Sequence, residues 1–255
     1  MHGIRASVIV AATTVALAVG AMGLRVGAAT PSNPVDVALV LAADVSRSIN
    51  DEEFALQRQG YASAIASRQV LDAIHTGPNG AIALSFIEWA GEPEQKIVVD
   101  WSTIRDKSDA DKFAAALLAA PRSFTGRTAI GSAIDFSMGV LGESGIDAPR
   151  HLIDISGDGT SNQGRSVTEA RDAALHAGAI INGLAIYNKQ AAQIGGYLAL
   201  HTNPPGGLAK YYRENVTGGP AAFVIPIEDF GSFGEAMIRK LVTEISALAP
   251  PGRAG

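Results

Sequence analysis

The sequence predicts an α/β fold: a three-layer, doubly wound, mostly parallel sheet with one antiparallel strand and helices on both faces. Three observations predict it. Apolar runs of strand length alternate with helix-length stretches along nearly all of residues 35–248, the order expected of βαβ units. Several runs are apolar at successive positions, as in strands covered on both faces. The 255 residues are 47% hydrophobic and 18% charged, which is enough for one well-cored domain of this class.

The elements follow in order. Residues 35–43 form the first strand, and Asn50 caps a helix over 51–67 whose first turn carries Asp51, Glu52 and Glu53. "GPNG" at 77–80 is a turn into a second strand, "AIALSFIEWA" (81–90), and "GEPEQ" leads to a hairpin partner at 96–102. A helix over 109–120 stops at Pro121, and "RSFTGRT" is a loop. From Ala129 the residues Ile130, Ile134 and Leu141 share one helical face. Residues 151–156 are a short strand, "GDGTSNQG" a loop, 166–178 a helix ended by Gly178, and 179–187 a strand. One or two short helices fall within 190–219, and 221–227 is the last strand. Asp229 caps a final helix carrying Phe230, Phe233, Met237, Leu241 and Ile245 at near-helical spacing.

The termini stand apart. Residues 1–29 have a basic start, 19 uncharged residues and small residues before Ala28 and Ala29, which reads as a cleaved secretory signal peptide. An uncleaved signal anchor is the alternative, because the run approaches spanning length. Either places the domain outside the cytoplasm, secreted or periplasmic, with membrane contact only if the segment is retained. Residues 30–34 are a linker and 249–255 a flexible tail. There is no cysteine, so disulfides, thiol catalysis and thiolate metal sites are excluded. The net charge is −5 and no Lys/Arg cluster exists, which argues against a nucleic acid or anionic membrane as partner.

In a sheet of this type, ligands sit at the carboxyl ends of the strands, near the switch in strand order. Three oxygen-rich loops lie on that edge: Asp44, Ser46 and Ser48 after the first strand, Thr128 after "TGR", and Asp158 in "GDG". Spacing of i, i+2, i+4 lets one extended loop aim three side chains at a point. All are hard oxygen donors, suited to Mg²⁺, or to Mn²⁺ or Ca²⁺. Two carboxylates would leave the ion net positive, with a position for a partner's acid.

This ordered pattern resembles the metal-ion-dependent adhesion site of von Willebrand factor type A (vWA) domains, over about residues 35–248. The resemblance implies that Ser46, Ser48 and Thr128 ligate the ion directly or through water. It implies that Asp44 and Asp158 bind it or hold its waters. It also implies a last helix, here 229–248, that shifts when ion and ligand bind. Stretches such as "FIEWAG", "ISGDG" and "INGLAIYN" are further similar to a bacterial family of exported single-domain proteins of unknown function. Two positions depart from the vWA pattern: Arg47 stands where glycine is usual, and Gly157 where Ser or Thr is usual.

The expected function is therefore a non-enzymatic, metal-dependent binding module. It would capture an acidic side chain of an unidentified protein or peptide, in adhesion, assembly or a chaperone-like role at the cell envelope. Candidate rim residues are Arg47, Arg127, Glu88, Asn162, Gln163 and Asn188. For Glu88 a solvated carboxylate beside a packed Trp89 is the plainer reading. Asp154, in a buried strand, is expected to be a hydrogen-bonded structural carboxylate. The five histidines lack metal-ligand spacing and read as structural or surface residues. The alternative function is a Mg²⁺-dependent phosphatase of haloacid-dehalogenase type using Asp44 and Asp158. Against it, such enzymes usually carry a second Asp where Ser46 stands and need a Lys or Arg before the later aspartate. No Lys lies between Lys112 and Asp158, only Arg122, Arg127 and Arg150.

Overall fold

The computed structural model describes residues 34–246. The signal segment, most of the linker and the tail lie outside the described residues. Among those described, no helix is long and apolar enough to cross a membrane.

Strand β1 (Val37–Asp44) is buried at every position. Its alternate side chains feed two separate cores, because successive Cβ atoms point to opposite faces. Val37, Leu39, Leu41 and Ala43 join one, while Ala38, Val40 and Ala42 join the other. Each large aliphatic so buried is worth roughly 1.5–3 kcal/mol, which offsets the cost of taking the carboxylate at the strand's end out of water.

A loop leads to α1 (Asp51–Ile65), whose Glu53 N donates to Asn50 Oδ1 while Asn50 N donates to the Glu53 carboxylate, a capping box. The helix expected over 51–67 ends earlier. Ser67 accepts from Val70 N and starts a separate short helix, α2 (Arg68–His75), which the sequence reading did not anticipate. Strand β2 (Ile82–Trp89) pairs with β1 in parallel, and β3 (Gln95–Ile104) pairs with β2 antiparallel, as the hairpin predicts. Asp106 caps α3 (Lys107–Ala119). Then follow α4 (Ile130–Glu143), β4 (His151–Gly157), α5 (Val167–His176) capped by Ser166, and β5 (Ile180–Ile186).

The stretch 190–219 holds three short helices, α6 (Lys189–Ile194), α7 (Gly196–Thr202) and α8 (Leu208–Tyr211), then a π-helical turn over Tyr212–Val216. Strand β6 is shorter than expected, Val224–Ile227. Asp229 caps a 3₁₀ turn that runs into α9 (Phe233–Ser246).

The sheet order is β3-β2-β1-β4-β5-β6. Helices α1, α2, α3 and α9 supply the core on one face, and α4, α5, α8 and the π-turn supply the other. The chain leaves β1 toward β2 on one side and later returns to β4 on the other, so the strand order reverses between β1 and β4. Ala43 is paired with Ser156 across that switch. The carboxyl ends of these two strands carry Asp44 and, one residue beyond Gly157, Asp158.

Candidate metal centre

The topology brings all five predicted donors to this crevice. Asp44, Ser46, Thr128 and Asp158 are buried and Ser48 is partly so. Asp44 Oδ1 accepts from Ser46 N at 2.7 Å, which folds the loop back on the strand end. Ser46 Oγ lies 3.1 Å from Ser48 Oγ, and Ser48 Oγ donates to Asp158 Oδ1 at 2.7 Å. Thr128 Oγ1 donates to Ser46 Oγ at 3.4 Å. Four side chains from three loops thus form one chain of oxygen-to-oxygen contacts.

A divalent ion fits this donor set. Ligands in an octahedron about 2.1 Å from their metal stand about 3 Å apart, and the oxygen separations of 2.7–3.4 Å bracket that spacing. Asp44 Oδ2 is buried with no hydrogen-bond partner. Burial, and repulsion from Asp158, raise the Asp44 carboxyl well above its ordinary pKa, and burial raises Asp158 despite bonds from Ser48 and Asn188. A cation between two buried carboxylates held together in this way would relieve both their desolvation and their mutual repulsion. Most donors here are hydroxyls. Among the described residues, no three His, Cys, Asp or Glu side chains form a metal-binding cluster by themselves.

Gly157 departs from the vWA pattern for a visible reason. A Cβ there would lie 2.6 Å from Tyr212 Oη and 2.9 Å from Asp44 Oδ2. The missing side chain admits the Tyr212 hydroxyl from the π-turn, and that hydroxyl too is buried without a partner. Burial together with the charges of Asp44 and Asp158 drives its pKa well up, so the phenol stays protonated and available as a donor.

The rim candidates divide. Arg47, Arg127 and Asn162 line a cavity of about 300 Å³ over Ser48 and Thr128. Asn162 also holds Thr128, accepting from its N at 3.0 Å and donating its own N to Thr128 O at 2.8 Å. Gln163 belongs to a neighbouring hollow instead. Asn188 is not on the rim: it is buried, and its Nδ2 donates to Asp158 Oδ2 at 2.8 Å and Ser48 O at 3.0 Å. Glu88 is neither on the rim nor solvated. It is fully buried, paired with Arg58 at 2.5 Å, and accepts from Ser123 N at 2.8 Å. A carboxylate on a strand covered on both faces needs such a cation.

Two participants carried no sequence signal. Arg122 Nη2 donates to the carbonyls of Val45, Ser46 and Ile49 at 2.8–2.9 Å, tying down the loop that bears the serines. Arg122→Met is expected to cost about 2–3 kcal/mol, read as a lower midpoint in urea unfolding. An unchanged midpoint would show that the loop holds its shape without the guanidinium. The other is His201 on α7, 5% exposed, with Nε2 3.2 Å from Thr128 Oγ1. Burial, helped by the Arg47 charge, lowers its pKa and keeps the imidazole neutral near pH 7.

This sheet, with oxygen-bearing side chains from three loops at its switch point, has the vWA-like fold. Structural neighbours agree. Proximal thread matrix protein 1 from the mussel byssus is 15% identical with a TM-score of 0.59, covering 84% of this chain and 48% of its own. A second structure of that protein, with a TM-score of 0.56, has a zinc-occupied MIDAS motif. The von Willebrand factor type A protein from Catenulispora acidiphila is 13% identical, with a TM-score of 0.56 and coverages of 83% and 43%. The pilus adhesin SpaC from Lactobacillus rhamnosus GG, in its open conformation, is 14% identical, with a TM-score of 0.56 and coverages of 84% and 31%. At these identities the likeness is one of fold, and the chain spans less than half the length of these three proteins. No curated protein matches the sequence. Residues 34–249 match the family model described as protein of unknown function (DUF1194), and the chain belongs to that family.

Proposed function

We propose that this domain is a divalent-metal-dependent protein-binding module, exported to the cell envelope, that captures a partner's carboxylate at the ion. The observation that carries this reading is the convergence of Asp44, Ser46, Ser48, Thr128 and Asp158 at the switch point, with Asp44 Oδ2 unpartnered. Those residues would hold Mg²⁺, Mn²⁺ or Ca²⁺, and the ion would supply a charge on which an acidic side chain docks. The cavity above, flanked by Arg47 and Arg127, gives that acid an entrance with favourable charge. The same fold occurs in a pilus adhesin and a thread matrix protein, and adhesion or assembly is the role we propose with it.

Calorimetric titration of the wild type and Asp44→Ala with Mg²⁺ and Mn²⁺ tests the ion. Binding by the wild type alone is expected, and equal isotherms would end the reading. A pull-down from the envelope fraction, with Mg²⁺ against chelator, then tests the partner. A protein retained only by the wild type and only with the ion is the expected result. The hydrolase alternative makes a different demand, turnover of a phosphate ester that Asp44→Asn abolishes. Of the cations it would call on, Arg122 is committed to loop carbonyls and Arg150 donates to the carbonyls of Glu244 and Ile245.

A further inference from the structure

We propose that His201 adds a nitrogen donor to the oxygen site and makes it select a borderline ion such as Zn²⁺ over Mg²⁺. The inference rests on the metal-site reading above and goes beyond it, because the donors expected from the sequence are all hard oxygens.

The geometry comes from two independent placements. The first is proximity to a donor. His201 Nε2 stands 3.2 Å from Thr128 Oγ1, the separation of adjacent ligands around one small ion. It lines the same cavity as Ser48 and Thr128. The second is the way the chain makes room for it. A Cβ on Gly159, directly after Asp158, would collide with the imidazole, Nε2 first. Only glycine at that position lets the ring lie against the Asp158 loop.

The ring is also held in one orientation. Nδ1 is 3.3 Å from Thr160 Oγ1, and Thr160 N donates to His201 O at 3.0 Å. Tyr197 stacks on the ring at 5.9 Å with planes 7° apart. Metal-bound histidines are fixed by a hydrogen bond at the second ring nitrogen, which settles the tautomer. With an ion bound, a proton on Nδ1 given to Thr160 Oγ1 would leave the Nε2 lone pair free for the metal beside Thr128. Imidazole favours Zn²⁺, whereas carboxylate, hydroxyl and water donors favour Mg²⁺. One nitrogen among these oxygens therefore moves the preference without altering the oxygen set.

The test is competitive calorimetry on the full chain with Zn²⁺ and Mg²⁺ as the only added ligands, comparing wild type, His201→Ala and His201→Gln. The glutamine variant retains a polar side chain against Thr128, and thermal melts confirm that each variant folds. The expected result is a Zn²⁺ affinity reduced about tenfold or more in both variants, with Mg²⁺ affinity unchanged. In the wild type, the ¹⁵N resonance of His201 Nε2 should move on adding Zn²⁺ and stay put on adding Mg²⁺, with the other histidines as internal controls. A Zn²⁺-to-Mg²⁺ ratio that is the same in all three proteins, or a His201 resonance unmoved by bound Zn²⁺, overturns the inference and leaves the metal site standing. A wild type that binds neither ion overturns both.

Discussion

Lys240→Met is expected to destabilise the domain by roughly 3–5 kcal/mol at pH 8, a drop in melting temperature on the order of 10 °C. Lys240 is fully buried on α9, with its Nζ 2.8 Å from Asp154 Oδ1 on β4 and in contact with Glu244 one turn along its own helix. Among the described residues the Lys240 ammonium is the one partner of the Asp154 carboxylate, and its charge is the compensation. Glu244 has one further partner, Asn182 Nδ2 at 2.9 Å. Methionine fills most of the lysine's volume, so the cost is not chiefly a cavity. It comes from two carboxyls left in the core without a cation.

The pH dependence identifies this cause. Burial pushes Glu244 up to about 7, with Lys240 opposing the rise, and burial raises Asp154 as well. A raised carboxyl pKa means that the folded state binds the proton more tightly than the unfolded state does. The associated stability is full below the ordinary value near 4.5 and is lost as pH climbs through about 7. Without Lys240 both carboxyls rise further, so the loss deepens and extends to higher pH. The deficit of Lys240→Met should therefore be larger at pH 8 than at pH 5 in thermal melts. Adding Asp154→Asn and Glu244→Gln should recover most of it. Equal deficits at the two pH values would refute the charge argument. The cluster also bears on the last helix, the element that the vWA resemblance marks as mobile. Here α9 is pinned to β4 by Lys240, and its last carbonyls accept from Arg150 at 2.6 and 2.8 Å.

The parts of this structure that can be read from the sequence are those carried by local patterns. Strand β1 announces itself because all eight of its residues are buried and nearly all are apolar. Asp44, Ser46 and Ser48 are legible because the donors sit on one short loop, and Thr128 and Asp158 follow once a parallel sheet puts its strand ends together. His201 was not legible. It meets Thr128 across 73 positions of sequence, from a short helix that begins at a positive-φ glycine pair, 195 and 196, and is followed by another at 206 and 207. Periodicity carries no information about such a segment. Arg122 was hidden for a related reason: its acceptors are backbone carbonyls, which leave no trace in residue identity. Glu88 and Asp154 did carry a signal, a carboxylate inside a strand buried on both sides. That demands a cation but does not name it, and Arg58 and Lys240 come from helices 30 and 86 positions away. The helix α2 leaves no clear pattern, because eight residues after a serine cap are too few to establish a period.

Asp44→Asn is expected to reverse the order of stability with and without the ion. In the ion-free protein Asp44 and Asp158 are buried together, and Asp44 Oδ2 has no partner. Asparagine keeps the side-chain oxygen that Ser46 N donates to, removes one of the two charges and brings an amide in place of the orphaned oxygen. The variant should therefore be more stable than the wild type in chelator, by about 1–2 kcal/mol. With the ion the order changes. A ligand that binds only the folded state at a hundred times its dissociation constant adds about 2.7 kcal/mol, and a site that has lost one of its two carboxylates gives up most of that gain. Melting curves of both proteins in chelator and in excess Mn²⁺ should cross, the variant melting higher without the ion and the wild type higher with it. If the wild type is the more stable in both conditions, Asp44 is a structural residue whose buried charge is compensated within the protein, and the repulsion between it and Asp158 is not what the ion relieves. The crossing would mean that this crevice forgoes stability in the empty domain so that a cation, and through it a partner's acid, can restore it.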